Sequence, residues 1–192
     1  MSDKEAEALL GQAQKGERPA FDRLHRLLEE RVRGFFRRLV GYSTEEDARV
    51  QEAFVALYLN LGKIQSAQHL LPFLFRVVRQ RSYDAWRRRK RHERLEGDIV
   101  AFNLSLNPGR SPDDQAHWAL LLSQVRQEID RLPENQRQTL ILHFEEGMTY
   151  EQVGEALNID TGTVKSRIFY GRKALRRRLG DEILASLFSD PA

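Results

Sequence analysis

Apolar residues recur along this chain at the three- and four-residue spacing of helices that hide one face. Phe21, Leu24, Leu27 and Leu28 begin such a stripe, and Val32, Phe35, Phe36, Leu39 and Val40 continue it as far as Gly41. Ser43-Thr44-Glu45-Glu46 then supplies a hydroxyl cap and first-turn acids, which predicts a new helix with Val50, Phe54, Leu57 and Tyr58 on one side. Another helix is predicted from Leu70 to Lys90, with Leu74, Val77, Val78 and Trp86 toward a core. Alternation with a period of two is nowhere convincing. The expected fold class is all-α.

The pattern lapses between Leu95 and Trp118, where Asn103, Asn107, Pro108, Gly109, Ser111 and Pro112 interrupt any helix. Such a length is unusual for a connection inside one compact domain, so it reads as a flexible linker between two helical domains. Helical spacing returns from Leu120 to Leu132. Pro133 then suits a first helical turn, and Leu140, Ile141 and Phe144 carry that helix to Gly147. No internal repeat or low-complexity tract is present. Residues Glu182 to Phe188 leave room for one short helix, whose Ile183, Leu184, Leu187 and Phe188 suit packing or a partner patch.

The densest local signal runs from Thr149 to Arg167. Thr149 followed by Gln152 makes a capping box, and Val153 and Leu157 give the short helix an inner face. Gly154 allows close approach, Asn158 suits a sharp turn, Ile159 fits between helices, and Asp160 or Thr161 can cap the next helix. That helix turns Val164, Ile168, Leu175 and Leu179 inward. Thr161, Thr163, Lys165, Ser166, Phe169, Tyr170 and Arg172 are left outward as the candidate DNA-reading set. The arrangement is a helix-turn-helix whose second helix fits a major groove.

Charge sharpens this reading. The formal net charge of +3 conceals two basic stretches. Between Arg76 and Arg94 nine basic residues face Asp84 and Glu93, and between Asp160 and Gly180 seven face only Asp160. The rest of the chain is net acidic. Cations gathered in two places suit a polyanion, because neutralising phosphates releases counterions.

Other classes fit poorly. With no cysteine, disulfide frameworks, zinc ribbons and thiol nucleophiles are excluded. His25, His69, His92, His117 and His143 are scattered without metal-ligand spacing. There is no glycine-rich phosphate loop or serine elbow, and the Glu45-Glu46 and Glu145-Glu146 pairs sit at helix ends where acids are ordinary. No enzymatic activity, metal or cofactor is expected. The N-terminus lacks an apolar signal core and no run approaches the ~18–20 residues of a membrane span, so a soluble cytoplasmic chain without membrane insertion is expected. A stand-alone operator-binding regulator would need a dimer interface, and no leftover heptad offers one.

Several motifs, in order, resemble the extracytoplasmic-function (ECF) sigma factors of bacterial RNA polymerase. Leu132-Pro133 with Arg137, Glu146 to Val153, and Gly162-Thr163-Val164-Lys165-Ser166-Arg167 resemble the promoter-reading region 4. Val50-Gln51-Glu52-Ala53-Phe54 resembles the polymerase-binding motif of region 2, and Phe73 to Gln80 with Asp84 to Arg91 resembles its DNA-melting segment. The resemblance spans roughly residues 15–94 and 120–180. Ala48 and Arg49 stand where the family usually has an acidic and an aliphatic residue, Phe73 replaces the usual Trp, Gln80 the usual Asn, and Gly154 a common Ala.

The resemblance implies a dissociable specificity subunit with three parts: region 2 over 1–94, a linker over 95–119, and region 4 over 120–192. It implies docking on the clamp helices of the polymerase β′ subunit through Asp47, Gln51, Glu52, Phe54 and Tyr58. Opening of the −10 element falls to Phe73, Arg76, Arg79, Gln80, Tyr83, Arg87 and Arg88, and the helix-turn-helix reads the −35 element of promoter DNA. The linker would run through the polymerase toward its RNA exit channel, and an anti-sigma factor is a further expected partner. Strand opening costs a few kcal/mol per unstacked base, offset when aromatic surfaces beside a basic track capture flipped bases. Phe73, Phe75, Tyr83 and Trp86 offer such surfaces, although Phe75 and Trp86 suit a core equally well.

Overall fold

The computed structural model describes residues 3–92, 124, 125 and 127–180, excepting the side chains of 83–92. Every regular element among these residues is helical, and the chain divides into two compact units, N-terminal and C-terminal. The expected linker over 95–119 and the short helix over 182–188 lie outside the described residues.

Four helices build the N-terminal unit: α1 (Asp3–Gln14), α2 (Arg18–Val40), α3 (Glu46–Asn60) and α4 (Leu70–His92). Helix α1 is an addition to the sequence expectation. Its Ala6, Leu9, Leu10 and Ala13 follow helical spacing and are buried against α2. Helix α2 is the central element, packing on α1, α3 and α4. Pro19 stands in its first turn, where a missing N–H costs nothing. Leu24, Leu28, Val32, Phe35, Phe36 and Leu39 form its buried stripe, whereas Leu27, expected on that stripe, is 39% exposed. Gly41, at φ 81°, ends the helix in a conformation closed to most side chains, and its N–H reaches the Arg37 carbonyl at 2.7 Å.

Helix α3 begins later than its hydroxyls suggest. Ser43 Oγ accepts the Glu45 N–H at 3.2 Å, so it closes the preceding turn, and Glu45 is the N-cap, its side chain making no bond to the helix-start N–H groups. Val50, Ala53, Phe54 and Leu57 face inward. Two 3₁₀ turns, Leu61–Lys63 and Ala67–His69, lead into α4. There Leu74, Phe75 and Val78 are fully buried, and Phe75 stacks on Phe35 with ring centroids 4.4 Å apart.

In the C-terminal unit, helical residues 127–130 precede α5 (Glu134–Leu140), with Pro133 at its N-cap rather than inside its first turn. The helix widens into a π-turn over Ile141–Glu145 before Gly147 turns the chain at φ 65°. Helices α6 (Tyr150–Leu157) and α7 (Thr161–Leu179) follow. Helices α5 and α7 pack closely. A Cβ at Gly171 would lie 2.9 Å from Leu140 Cδ1, so the contact depends on the missing side chain.

Candidate polymerase and nucleic-acid interfaces

The outward side of α3 carries a mixed polar and apolar surface. Asp47 and Gln51 are exposed, Glu52 is half-buried, and Tyr58 is 57% exposed with its ring edge against Phe21 at 5.1 Å. Phe54 does not join them. It is 2% exposed and lies against the His25 ring at 4.1 Å, which corrects its expected role from contact to core. The reason is angular: Phe54 falls four residues after Val50, on the buried stripe, while Gln51, Val55, Tyr58 and Leu59 fall on the other side. Val55 and Leu59, exposed by 56% and 73%, extend the surface and were missed in the sequence reading. Their signal was apolar character away from the Val50-Phe54-Leu57 stripe.

A charge network fixes the start of this helix on α2. The Glu46 carboxylate is buried and accepts bonds from Arg33 Nη1 (2.8 Å), Arg37 Nη2 (2.8 Å) and Arg37 Nε (2.9 Å). Arg33 also donates to Asp47 at 2.6 Å and to Glu29 at 2.8 Å. Burial pushes the Glu46 carboxyl up, but the Arg37 and Arg33 hydrogen bonds outweigh it and hold the group below its usual range. Glu46, read as an ordinary first-turn acid, is therefore the anchor of two arginines. One turn further, Arg49 spans Glu45 (2.9 Å) and Glu52 (3.1 Å), so part of the acidic face carries its own counterion.

On α4, half-buried Phe73 has the guanidinium of half-buried Arg76 5.2 Å from its ring centroid, a cation–π pair. Arg79 is half-buried and Gln80 exposed. Phe75 belongs to the core, as its stacking on Phe35 shows. The helix backbone continues through positions 83, 87 and 88, but the side chains of Tyr83, Trp86, Arg87 and Arg88 lie outside those described.

The helix-turn-helix is assembled by local chemistry. Thr149 N–H donates to Gln152 Oε1 at 2.9 Å, and Gln152 N–H donates to Thr149 Oγ1 at 3.3 Å, the reciprocal bonds of a capping box. Asn158 takes φ 55°, a left-handed conformation that asparagine tolerates better than most residues. A Cβ at Gly154 would stand 2.8 Å from the Ile159 carbonyl, which explains how closely the turn folds back. Asp160 caps α7: Oδ1 accepts the Thr163 N–H at 2.8 Å and Oδ2 accepts the Thr163 hydroxyl at 2.6 Å. Those Thr163 bonds hold the Asp160 carboxyl below its usual range.

Helix α7 buries Val164, Ile168, Gly171 and Leu175 and leaves Lys165, Ser166, Phe169 and Tyr170 exposed, with Thr161, Thr163 and Arg172 half-buried. Two predicted hydroxyl readers have their protons engaged internally, Thr163 on Asp160 and Ser166 on the Gly162 carbonyl at 3.0 Å. They present acceptor lone pairs to a ligand. Phe169 and Tyr170 meet edge to face at 5.3 Å. Lys165 lies 5.8 Å from the Tyr150 ring centroid, and Arg172 lies 5.8 Å from that of Phe144. Tyr150 and Phe144 thus flank the predicted cations, a role visible only once the π-turn, the start of α6 and helix α7 are placed together. Behind them, buried His143 bonds through Nδ1 to the Met148 carbonyl at 2.7 Å and ties the π-turn to the entry of α6.

Replacing Asp160 with alanine is expected to speed amide exchange at Thr163, while Asp160→Asn keeps an acceptor and retains most of the protection. The Asp160 cap has a lowered carboxyl pKa when folded, so its contribution is complete above the ordinary aspartate range and fades as pH falls through the folded value. Hydrogen exchange followed across acid pH reads both effects.

Comparison with known proteins agrees with both units. Residues 24–92 match the sigma-70 region 2 family, and residues 122–175 match sigma-70 region 4. The ECF RNA polymerase sigma factor SigW of Bacillus subtilis is 27% identical over 88% of this chain and 94% of its own. The ECF sigma factor EcfG of Rhodopseudomonas palustris is 30% identical over 75% of this chain and 76% of its own. Among solved structures, the sigma factor RpoE of Bartonella quintana, in complex with the anti-sigma factor NepR, has a TM-score of 0.59 at 21% identity, covering 86% of this chain and 96% of its own. No helix among the described residues is long and apolar enough to cross a membrane. With both regions matched in order and relatives aligned along most of its length, the chain belongs to the ECF sigma factors, non-catalytic subunits that direct RNA polymerase to promoters.

Proposed function

We propose that the two units divide promoter use between them, with 1–94 as the polymerase-docking and −10 module, 95–119 as the linker and 120–192 as the −35 module. Helix α3 docks on the clamp helices of the β′ subunit through Asp47, Gln51, Glu52 and Tyr58, joined by Val55 and Leu59. Helix α4 holds the opened −10 strand along Phe73, Arg76, Arg79 and Gln80, continuing through Tyr83, Arg87 and Arg88. Helix α7 enters the major groove of the −35 element. The observation that carries the reading is the outward set Lys165, Ser166, Phe169 and Tyr170 on the first turns of a capped recognition helix. Lysine suits guanine edges or phosphates, and an aromatic ring suits a thymine methyl or the sugar. The protein works in the cytoplasm, where its DNA and polymerase are. An anti-sigma factor is a further partner, a reading supported by the NepR complex of the Bartonella relative.

In vitro transcription tests the assignment: core polymerase, with and without the protein, on a library of upstream sequences from its own genome. Sequence-dependent transcripts that require the protein are expected. Core binding without transcripts would instead make it an interaction protein, and DNA binding without core binding a stand-alone regulator. Lys165→Ala is expected to leave core affinity intact and to impair selection of the −35 element. If Lys165 touches a phosphate, the slope of log affinity against log salt should fall by about 1; if it touches a base, discrimination at that one position should fall instead.

A further inference from the structure

Helix α1 precedes the residues matched by the region 2 family, yet two of its side chains grip the connection between α3 and α4. Gln14 Nε2 donates both of its hydrogens, to the Leu61 carbonyl at 2.9 Å and to the Ile64 carbonyl at 2.9 Å. These carbonyls bracket the first 3₁₀ turn. Glu7 Oε2 accepts the Ala67 N–H at 2.7 Å, at the start of the second turn, where unpaired N–H groups favour a negative charge. Positions 7 and 14 are seven residues apart, so they lie on one side of α1, and buried Leu10 lies between them. Helix α1 packs on both turns. The second turn runs directly into Leu70, the first residue of α4, one turn before Phe73 and two before Arg76.

We infer that Glu7 and Gln14 are positioning residues for promoter opening, holding the 61–69 connection so that the first turns of α4 meet the −10 strand in a fixed register. They contact neither polymerase nor DNA; they act through the backbone they bind. The inference rests on the −10 role proposed for α4. Each bond is outside the buried core, so its removal leaves the helical packing of Leu9, Leu10 and Ala13 in place.

The test compares Glu7→Ala, Gln14→Ala and the conservative Glu7→Gln in the full chain with core polymerase on a promoter the wild type opens. Permanganate reactivity of −10 thymines reads opening, a separate titration reads core affinity, and circular dichroism reads helix content. Opening is expected to fall about fivefold in Glu7→Ala, the scale of one net hydrogen bond, and by at least as much in Gln14→Ala, which loses two. Core affinity and helix content should hold, and Glu7→Gln should open nearly as well as wild type because it keeps an acceptor oxygen. Alanine variants that open like wild type overturn the inference alone. Parallel loss of helix content, core affinity and opening overturns it too, by making α1 merely structural. A wild type that binds core but opens no promoter overturns the −10 reading and this inference with it.

Discussion

Glu46→Ala is expected to destabilise the N-terminal unit by about 3 kcal/mol, the low end of the ~3–5 kcal/mol seen when one partner of a buried ion pair is removed. The loss arises mostly from what is left behind. Arg33 and Arg37 would keep their positive charges beside a vacated, buried site, while three hydrogen bonds of 2.8–2.9 Å disappear. The low end applies because both arginines retain company: Arg33 keeps Glu29 and Asp47, and Arg37 lies 5.2 Å from the Tyr42 ring with a third of its side chain already in water. Thermal or urea unfolding of the full chain measures this directly. Core affinity should fall as well, since Glu46 anchors the first turn of the helix that bears Asp47 and Gln51.

Acid provides a second reading of the same contact. The Glu46 carboxyl is held below its ordinary value of 4.5 in the folded protein. A lowered folded pKa means that the stabilisation is complete above the ordinary carboxyl range and is lost as pH falls through the folded value. The stability gap between wild type and Glu46→Gln should therefore be level near neutral pH and shrink below about pH 4.5. A gap that stays constant into acid would show that the carboxylate charge contributes nothing.

Phe35→Ala is expected to cost about 3–5 kcal/mol, as for other fully buried aromatics truncated to alanine. Phe35 is wholly buried in the C-terminal half of α2 and stacks on wholly buried Phe75 of α4, at 4.4 Å and an interplanar angle of 30°. Truncation removes apolar burial and opens a cavity between two long helices that cannot close without shifting one of them. Phe75→Ala should be comparably costly. A double-mutant cycle should return a coupling of about 0.5–1.5 kcal/mol, the range for aromatic pairs beyond their burial. A Phe75→Ala protein of normal stability with impaired promoter opening would return Phe75 to the DNA-facing set.

The helix-turn-helix was legible almost residue by residue because its determinants are local. A capping box, a left-handed asparagine and an aspartate N-cap each involve partners within three residues, so adjacency in sequence is adjacency in space. The inward positions Val153, Leu157, Val164, Ile168 and Leu175 followed from helical period alone, and so did most of the α2 stripe. Helix α1 was also written in the sequence, at Ala6, Leu9, Leu10 and Ala13, but alanine gives too weak a contrast with its neighbours to announce a buried face.

Tertiary structure decided what period alone leaves open, namely which buried arc of a helix meets a neighbour and which lies at its edge. Phe54 read as a contact and Phe75 equally well as contact or core, and packing against His25 and Phe35 made both core. Leu27 read as core, yet it falls at the edge of the face that α2 presents and remains exposed, while Val55 and Leu59 lie exposed on the far side of α3 from its buried stripe. Glu46 looked like an ordinary helix-start acid until arginines four residues apart on α2 closed around it. Gly171 gained its meaning from Leu140, thirty-one positions earlier. Sequence therefore determined most of the helices, the caps within the helix-turn-helix and the family, which depend on short-range chemistry and ordered motifs. Burial of individual side chains, and the charges they enclose, depends on contacts between helices distant in sequence, and only the folded chain brings those together.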